Sequence, residues 1–161
     1  RLVRFKVHMD QVRKKAPNFP VGDLAGRDEI AKTMSDIYGR LLPDLGLLPG
    51  VAALLEWVES TGRMQVVFSD YRKSTKLEAL SVEHFFAFVF AGEDIGYLKP
   101  SPVPFREIIE QLRIEPHELL HIGDRVDTDG AAAKEVGFQA AIIGTDFPSA
   151  SELHEALVGA D

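Results

Sequence analysis

Short apolar runs that suit buried β-strands alternate with segments of helical character from residue 50 onwards, and this alternation constrains the fold most strongly. The predicted strands are Met64–Phe68, Ala87–Ala91, Leu119–Ile122 and Gln139–Ile143. The predicted helices are Val51–Ser60, Ser74–Leu80, Val103–Leu112, Thr128–Val136 and Ser151–Val158. A repeated β–α order of this kind predicts an α/β fold, in which helices cover both faces of a mostly parallel sheet.

The first 45 residues have a different character. Apolar residues recur at helical spacing between Asp28 and Leu42, and this part of the sequence contains no strand-like run. The residues that carry the spacing are Ile30, Met34, Ile37, Tyr38 and Leu41. We therefore expect two parts, a small helical segment over residues 1–45 and an α/β core over residues 46–161.

The charge balance narrows the range of partners. With 18 Lys and Arg against 25 Asp and Glu, the formal net charge is -7, which disfavours electrostatic binding to nucleic acid. Cysteine is absent, which excludes disulfides, thiol nucleophiles and thiolate metal sites. No apolar run approaches the ~18 residues that a membrane span needs. These features are typical of a cytoplasmic protein that binds neither nucleic acid nor membrane.

Three loops in the predicted core carry polar residues at the sheet edge where open parallel sheets bind ligands. The first loop begins with Ser69 and Asp70, where a hydroxyl group follows an apolar strand, and continues to Arg72. Taken alone, Ser69 is better explained as a helix cap or turn residue than as a catalytic group. Its interpretation therefore depends on the other two loops.

The second loop, residues 96–102, has the sequence GYLKPSP and holds Lys99 beside two prolines. A loop lysine is usually a solvated surface residue. The rigid prolines lower the entropy cost of aiming this ammonium group at an anion. Lys99 is therefore a candidate anion ligand, with a solvated surface lysine as the alternative.

The third loop is rich in carboxylates. The predicted strand Leu119–Ile122 is followed by a glycine and Asp124, and Asp127 and Asp129 come within five residues of Asp124. Clustered acids repel one another unless a cation lies among them, and oxygen ligands suit Mg²⁺. Alternatively, Asp127 or Thr128 only caps the following helix, which accounts for one acid but not for Asp124 at the strand end.

Together, the three loops resemble the motifs of the haloacid dehalogenase (HAD)-like phosphohydrolases. In that superfamily an apolar strand ends in Ser or Thr, as at Ser69. A lysine that is often followed by Pro-x-Pro comes next, as at Lys99. A Gly-Asp pair with a second acid five residues after the first completes the set, as at Asp124 and Asp129. The resemblance covers about residues 48–144 and implies a Rossmann-like core, with the first 45 residues as part of a small helical cap.

The resemblance implies a role for each matched residue. Ser69 and Lys99 would be the catalytic groups, with Ser69 holding a phosphoryl oxygen and Lys99 neutralising the phosphoryl group. Asp124, supported by Asp129, would hold Mg²⁺, and the substrate would be a small phosphorylated metabolite. The predicted phosphate or substrate contacts are Ser69, Asp70, Arg72, Lys99 and Arg125. The two arginines are equally well explained as surface salt-bridge partners.

The first motif of the superfamily, Asp-x-Asp-x-Thr at the end of the first strand, has no counterpart in these 161 residues. The resemblance therefore implies a core without its first, central strand. Because the sequence opens at Arg1, near the expected start of the cap, we expect a segment upstream of Arg1 to supply the aspartate nucleophile. An unpaired sheet edge would otherwise favour self-association.

Two functions from different classes remain open. The first is a Mg²⁺-dependent phosphomonoester hydrolase that an upstream segment completes, in which case this chain alone would be inactive. The second is a non-catalytic binding or interaction module that keeps the phosphate and cation pocket but has lost the nucleophile. Turnover of phosphate esters distinguishes the two functions.

Overall fold

The structure, a computed structural model, describes residues 36, 37, 39–70 and 74–160. Residues 39–45 are helical and correspond to the end of the predicted N-terminal helical segment. The rest of that segment, residues 1–35, and the predicted site residue Arg72 lie outside the described residues. The following description therefore concerns mainly the predicted core.

The core has the alternating order of strands and helices that the sequence predicts, and the predicted α/β fold is confirmed. In chain order the elements are α1 (Val51–Ser60), β1 (Val66–Ser69), α2 (Ser74–Ala79), β2 (Phe88–Ala91), α3 (Gly92–Ile95), α4 (Val103–Leu112), β3 (Leu120–Gly123), α5 (Ala131–Val136), β4 (Gln139–Ile142) and α6 (Ala150–Val158). None of the helices in the described part of the chain is long and apolar enough to cross a membrane.

The predicted helix bounds are accurate for some helices and wrong for others. Both α1 and α4 begin and end at the predicted residues. The helix predicted from Thr128 begins only at Ala131, because residues 126–130 form a π-helical turn. The sequence does not predict the short helix α3, which Gly96 ends in the left-handed conformation with a φ of 95°.

The four strands form two parallel pairs. β1 pairs with β2, with Val66 opposite Phe88, and β3 pairs with β4, with Leu120 opposite Gln139. Parallel pairing is expected for strands that helices connect. No strand pairing joins β1 to β3 within the described residues, so the sheet is divided into two halves.

One aromatic side chain connects the two halves of the sheet. Phe105 of α4 is 1% exposed and packs edge-on against Phe68 of β1, with ring centroids 5.2 Å apart. The Phe105 ring also stacks on Phe138, just before β4, and lies 4.7 Å from the ring of His121 in β3. Buried aromatic surface of this kind is a major stabilising contribution, so α4 holds β1 and β3 close together.

Helices cover both faces of the β3–β4 pair, as the sequence predicts. Ala141 of β4 belongs to a buried cluster with Leu54 of α1 and Leu153 of α6. The next side chain along the strand, Ile142, points to the opposite face and lies beside Gly130 of the π-helical turn. The two faces of this pair are therefore packed by different elements.

Several apolar side chains of the strands are nevertheless exposed. Phe88 and Val89 of β2 are each 48% exposed, and Leu120 and Ile122 of β3 are 38% and 40% exposed. On its other side, β3 has no strand partner among the residues that the structure describes. Apolar side chains and unpaired backbone groups thus coincide at this edge of β3.

Candidate active site

Lys99 is at the centre of a polar cluster near the carboxyl ends of β1 and β3. Its Nζ atom donates a hydrogen bond to Asp129 Oδ1 and forms an ion pair with it. The side chain of Lys99 is 13% exposed and that of Asp129 is 4% exposed. Lys99 Nζ also lies 5.2 Å from the centroid of the Phe68 ring. The alternative of a solvated surface lysine is therefore wrong.

Asp129 is a buried carboxylate that accepts hydrogen bonds at both oxygens. His121 Nε2 lies 3.1 Å from Oδ1, which also accepts from Lys99, and the backbone N–H of Arg125 donates to Oδ2 at 3.2 Å. Burial alone would raise the pKa of Asp129, but the hydrogen bond with His121 and the positive charge of Lys99 outweigh burial and hold that pKa well below its ordinary range. The carboxylate is therefore ionised near neutral pH.

Asp70 ties the loop that carries Lys99 to the end of β1. Its Oδ1 atom accepts a 2.8 Å hydrogen bond from the backbone N–H of Lys99. Its carbonyl oxygen accepts a 3.0 Å hydrogen bond from the N–H of Glu93 in α3. The peptide bond between Lys99 and Pro100 is cis. Asp70 thus has a clear structural contact, and its predicted contact with substrate stays a prediction.

Gly123 allows Asp129 to approach β3. A β-carbon at position 123 would lie 2.5 Å from Cβ and 2.6 Å from Cγ of Asp129. No side chain tolerates contacts this close, so either Asp129 or the strand would have to move. The glycine of the Gly-Asp pair is therefore required by the close approach of a buried carboxylate, independently of backbone conformation.

The other predicted residues lie around this cluster. Ser69 ends β1 and is partly buried, whereas Asp124 directly follows β3 and is exposed. The guanidinium group of Arg125 donates two hydrogen bonds, of 3.1 and 2.8 Å, to the carboxylate of Asp127. The salt-bridge interpretation of Arg125 is confirmed, and its contact with substrate stays a prediction.

The carboxylates of the third loop suit Mg²⁺ in their chemistry but do not by themselves complete a coordination shell. Asp124 offers an exposed carboxylate, and Asp129 keeps one lone-pair site, on Oδ2, beyond the three hydrogen bonds that it accepts. In the described ranges, no group of three or more acidic or histidine side chains is placed to hold a metal ion. A Mg²⁺ ion bound here would therefore take its remaining oxygen ligands from water, from a substrate phosphate or from protein groups outside this loop.

A sequence profile of the haloacid dehalogenase-like hydrolases matches residues 7–137, which include all three loops. The chain belongs to this family. The resemblance inferred from Ser69, Lys99 and the Gly-Asp motif is thereby confirmed. The match also covers most of the segment that the sequence analysis assigns to a helical cap.

Some HAD-like proteins with similar sequences are named as phosphatases. The chain is 40% identical over 62 residues to the glyceraldehyde 3-phosphate phosphatase of Methanopyrus kandleri. The aligned residues make up 38% of this chain and 27% of that protein. It is 32% identical over 97 residues to the phosphoglycolate phosphatase of Aquifex aeolicus. This alignment covers 58% of this chain and 45% of that protein. The chain therefore spans less than half the length of either relative.

A solved HAD structure shares the fold. The crystal structure of a HAD phosphatase from Thermococcus onnurineus matches this chain with a TM-score of 0.70 and 25% sequence identity. The match covers 82% of this chain and 70% of that one. The predicted Rossmann-like α/β core of HAD type is therefore confirmed.

His121 is the residue of the cluster that the sequence analysis misses. It lies inside an apolar strand and belongs to none of the three loop motifs. Strand alternation is the signal that finds it, because His121 must share a face of β3 with Gly123, where Asp129 packs. The identity of its partner, however, depends on how the following turn folds back over the strand.

Proposed function

We propose that this chain is the core of a Mg²⁺-dependent phosphomonoester hydrolase that acts on a small phosphorylated metabolite. The observation that carries the proposal is the nearly buried ammonium group of Lys99, which Asp129 holds near the ends of β1 and β3. Phosphoryl transfer needs fixed positive charge at such a place, because negative charge spreads over the phosphoryl oxygens in the transition state. Two relatives named as phosphatases of small phosphorylated compounds support the proposal.

Four residues in and around the cluster have a task in the proposed reaction. The hydroxyl of Ser69 donates a hydrogen bond to a phosphoryl oxygen, and Lys99 neutralises the phosphoryl group. Asp129 keeps Lys99 in place, while Asp124 would be a ligand of Mg²⁺ with Asp129 in support. The ion, when bound, supplies further positive charge to the phosphoryl oxygens.

The aspartate nucleophile comes, in this proposal, from a segment upstream of the present sequence. No Asp-x-Asp-x-Thr occurs in the 161 residues. The absent pairing between β1 and β3 among the described residues supports a further strand at that position, as do the exposed side chains of Leu120 and Ile122. A parallel strand there would end beside Lys99 and Asp124, so an aspartate at its end would face the phosphoryl group.

A non-catalytic phosphate-binding module is the second candidate function. The absence of the aspartate motif from the sequence is the observation that favours it. Such a module would bind inorganic phosphate together with Mg²⁺ through Lys99 and Asp124, without turning over phosphate esters. It would therefore share the binding properties of the hydrolase and differ from it in turnover alone.

Hydrolysis of a panel of phosphate esters by the natural gene product, with and without Mg²⁺, tests the proposal. We expect release of phosphate that depends on Mg²⁺, and Lys99→Met should lower kcat/KM by about 10²–10³-fold because it removes a charge that stabilises the transition state. Lys134→Met removes an exposed lysine of α5 and is the matched control, which should leave activity unchanged. Turnover that is indifferent to Lys99→Met would contradict the proposal, and binding without turnover would favour the module.

A further inference from the structure

His121 is a polar residue on the core-facing side of β3. Its side chain is 12% exposed, and its ring lies 4.7 Å from that of Phe105, which is itself 1% exposed. Burial of a polar group costs free energy unless the group has a hydrogen-bond partner. His121 Nε2 has such a partner in Asp129 Oδ1, 3.1 Å away.

The oxygen that His121 contacts is the one that pairs with Lys99. Asp129 Oδ1 accepts hydrogen bonds from both Lys99 Nζ and His121 Nε2, and Oδ2 accepts from the backbone N–H of Arg125. The carboxylate is thus fixed at both oxygens by groups from different parts of the chain. Rotation of the carboxylate would break at least one of these contacts, so the His121 ring helps to determine where Lys99 is held.

A buried histidine can also be a simple packing residue. An apolar side chain such as leucine would fill the space beside Phe105, but it would lack the N–H group that faces Asp129. The two roles make different predictions for Lys99. A packing residue affects the stability of the whole core, whereas a residue that acts on Asp129 affects the position of the Lys99 ammonium group.

We propose that His121 is a positioning residue, which orients Asp129 and thereby fixes the ammonium group of Lys99. The importance of this role for turnover rests on the proposed function. The position of Lys99 can be measured without turnover, so the two proposals can fail separately. Without the hydrogen bond from His121, Asp129 loses one of its constraints, and Lys99 samples several positions.

Nuclear magnetic resonance of lysine side-chain nitrogens, in protein with isotope-labelled lysine, tests the placement of Lys99 directly. The Lys99 signal is assigned by its loss in Lys99→Met. His121→Leu should broaden or shift this signal, and His121→Gln, which keeps an N–H donor, should largely restore it. His117→Gln changes an exposed histidine and should leave the signal unchanged. An unchanged Lys99 signal in folded His121→Leu would overturn the proposal.

Kinetics of the natural gene product test whether His121 acts through Lys99. We expect His121→Leu to lower kcat/KM by about 10- to 100-fold, and His121→Gln to recover most of the loss. In a Lys99→Met background, His121→Leu should have little further effect, because coupled residues are not additive. If His121→Leu lowered kcat/KM by the same factor in the wild-type and Lys99→Met backgrounds, His121 would have a packing role, and the proposal would be overturned.

The positioning role of His121 can be tested even if the leucine variant does not fold or the protein is inactive. His121→Asn, whose shorter amide does not reach Asp129, replaces His121→Leu if the leucine variant does not fold. If the wild-type protein hydrolyses no phosphate ester, the proposed function fails. The Lys99 signal then still decides whether His121 positions the ammonium group.

Discussion

At the scale of single residues, the site depends on side chains that are held in place by their neighbours. Lys99 is fixed at two points, through its backbone N–H by Asp70 and through its ammonium group by Asp129. A fixed ammonium group loses little entropy when an anion arrives, which is an advantage in phosphoryl transfer. The residues that hold Lys99 are therefore expected to affect activity as well as stability.

Asp70 allows a test with two closely related substitutions. Asp70→Ala removes the acceptor for the Lys99 N–H and should lower kcat/KM by about tenfold or more, because a partly buried donor loses its partner and the loop shifts. Asp70→Asn keeps an acceptor oxygen and should retain most of the activity. Steady-state kinetics on both variants show whether the acceptor oxygen or the negative charge of Asp70 is needed for activity. Equal losses in both would mean that the negative charge itself matters, as in a direct substrate contact.

Gly123 is expected to tolerate no side chain. Gly123→Ala places a β-carbon 2.5 Å from Asp129 Cβ, so Asp129 and with it Lys99 must move. We expect a loss of phosphate-ester hydrolysis together with a destabilisation of about 1–3 kcal/mol, the usual cost of overpacking. Gly62→Ala is the control, because nothing lies within 4 Å of a β-carbon there, although its φ of 71° adds some backbone strain. Full activity in Gly123→Ala would contradict the described position of Asp129.

At the scale of elements, α4 has the central structural role. Phe105 contacts Phe68 of β1, His121 of β3 and Phe138 before β4, so one helix joins both halves of the sheet. This packing places the carboxyl ends of β1 and β3, and hence Ser69 and Asp124, in the same region. The arrangement of the site therefore depends on the core beneath it.

Truncation of Phe105 tests this role of α4. Phe105→Ala should lower the free energy of unfolding by about 3–5 kcal/mol, because it leaves a cavity between the two halves of the sheet. Phe88→Ala removes the same side chain from a site that is 48% exposed and should cost about 1 kcal/mol. Urea denaturation of both variants gives the comparison. Similar losses would show that Phe105 does not connect the two halves as described.

The elements also show which features the sequence could predict. The bounds of α1 and α4 follow from local signals, since a Pro-Gly pair precedes α1 and a proline stands at each side of Val103. The delayed start of the helix at Ala131 has no local signal. There the turn brings Asp129 to Lys99, and contacts between residues far apart in the sequence are not visible in a periodicity pattern.

Among the site residues, too, some have a local sequence signal and others depend on contacts between distant parts of the chain. Ser69, Lys99 and Asp124 are candidates from the sequence because short motifs at strand ends identify them, and their roles stay predictions. The sequence does not reveal that Asp70 accepts from the Lys99 N–H, or that His121 contacts Asp129. Both contacts arise only when segments that are separate in the sequence come together near the carboxyl ends of β1 and β3. The sequence thus predicts the candidate reactive groups but not the residues that position them.

At the scale of the whole molecule, the divided sheet is the main structural feature. β1 and β3 are held near each other by α4, yet the described residues contain no strand between them. A strand from an upstream segment would complete the hydrogen bonding, cover Leu120 and Ile122, and bring an aspartate to Lys99. Self-association through the same edges stays a prediction, and an upstream strand would make it unnecessary.

The N-terminal sequence and intact mass of the natural gene product test this account most directly. We predict an apolar, strand-like run upstream of Arg1 that ends in Asp-x-Asp, at the position where the completed sheet would place a nucleophile beside Lys99 and Asp124. A natural product that begins at Arg1 would contradict the account. The protein would then lack an aspartate nucleophile, and the phosphate-binding module would be the better description.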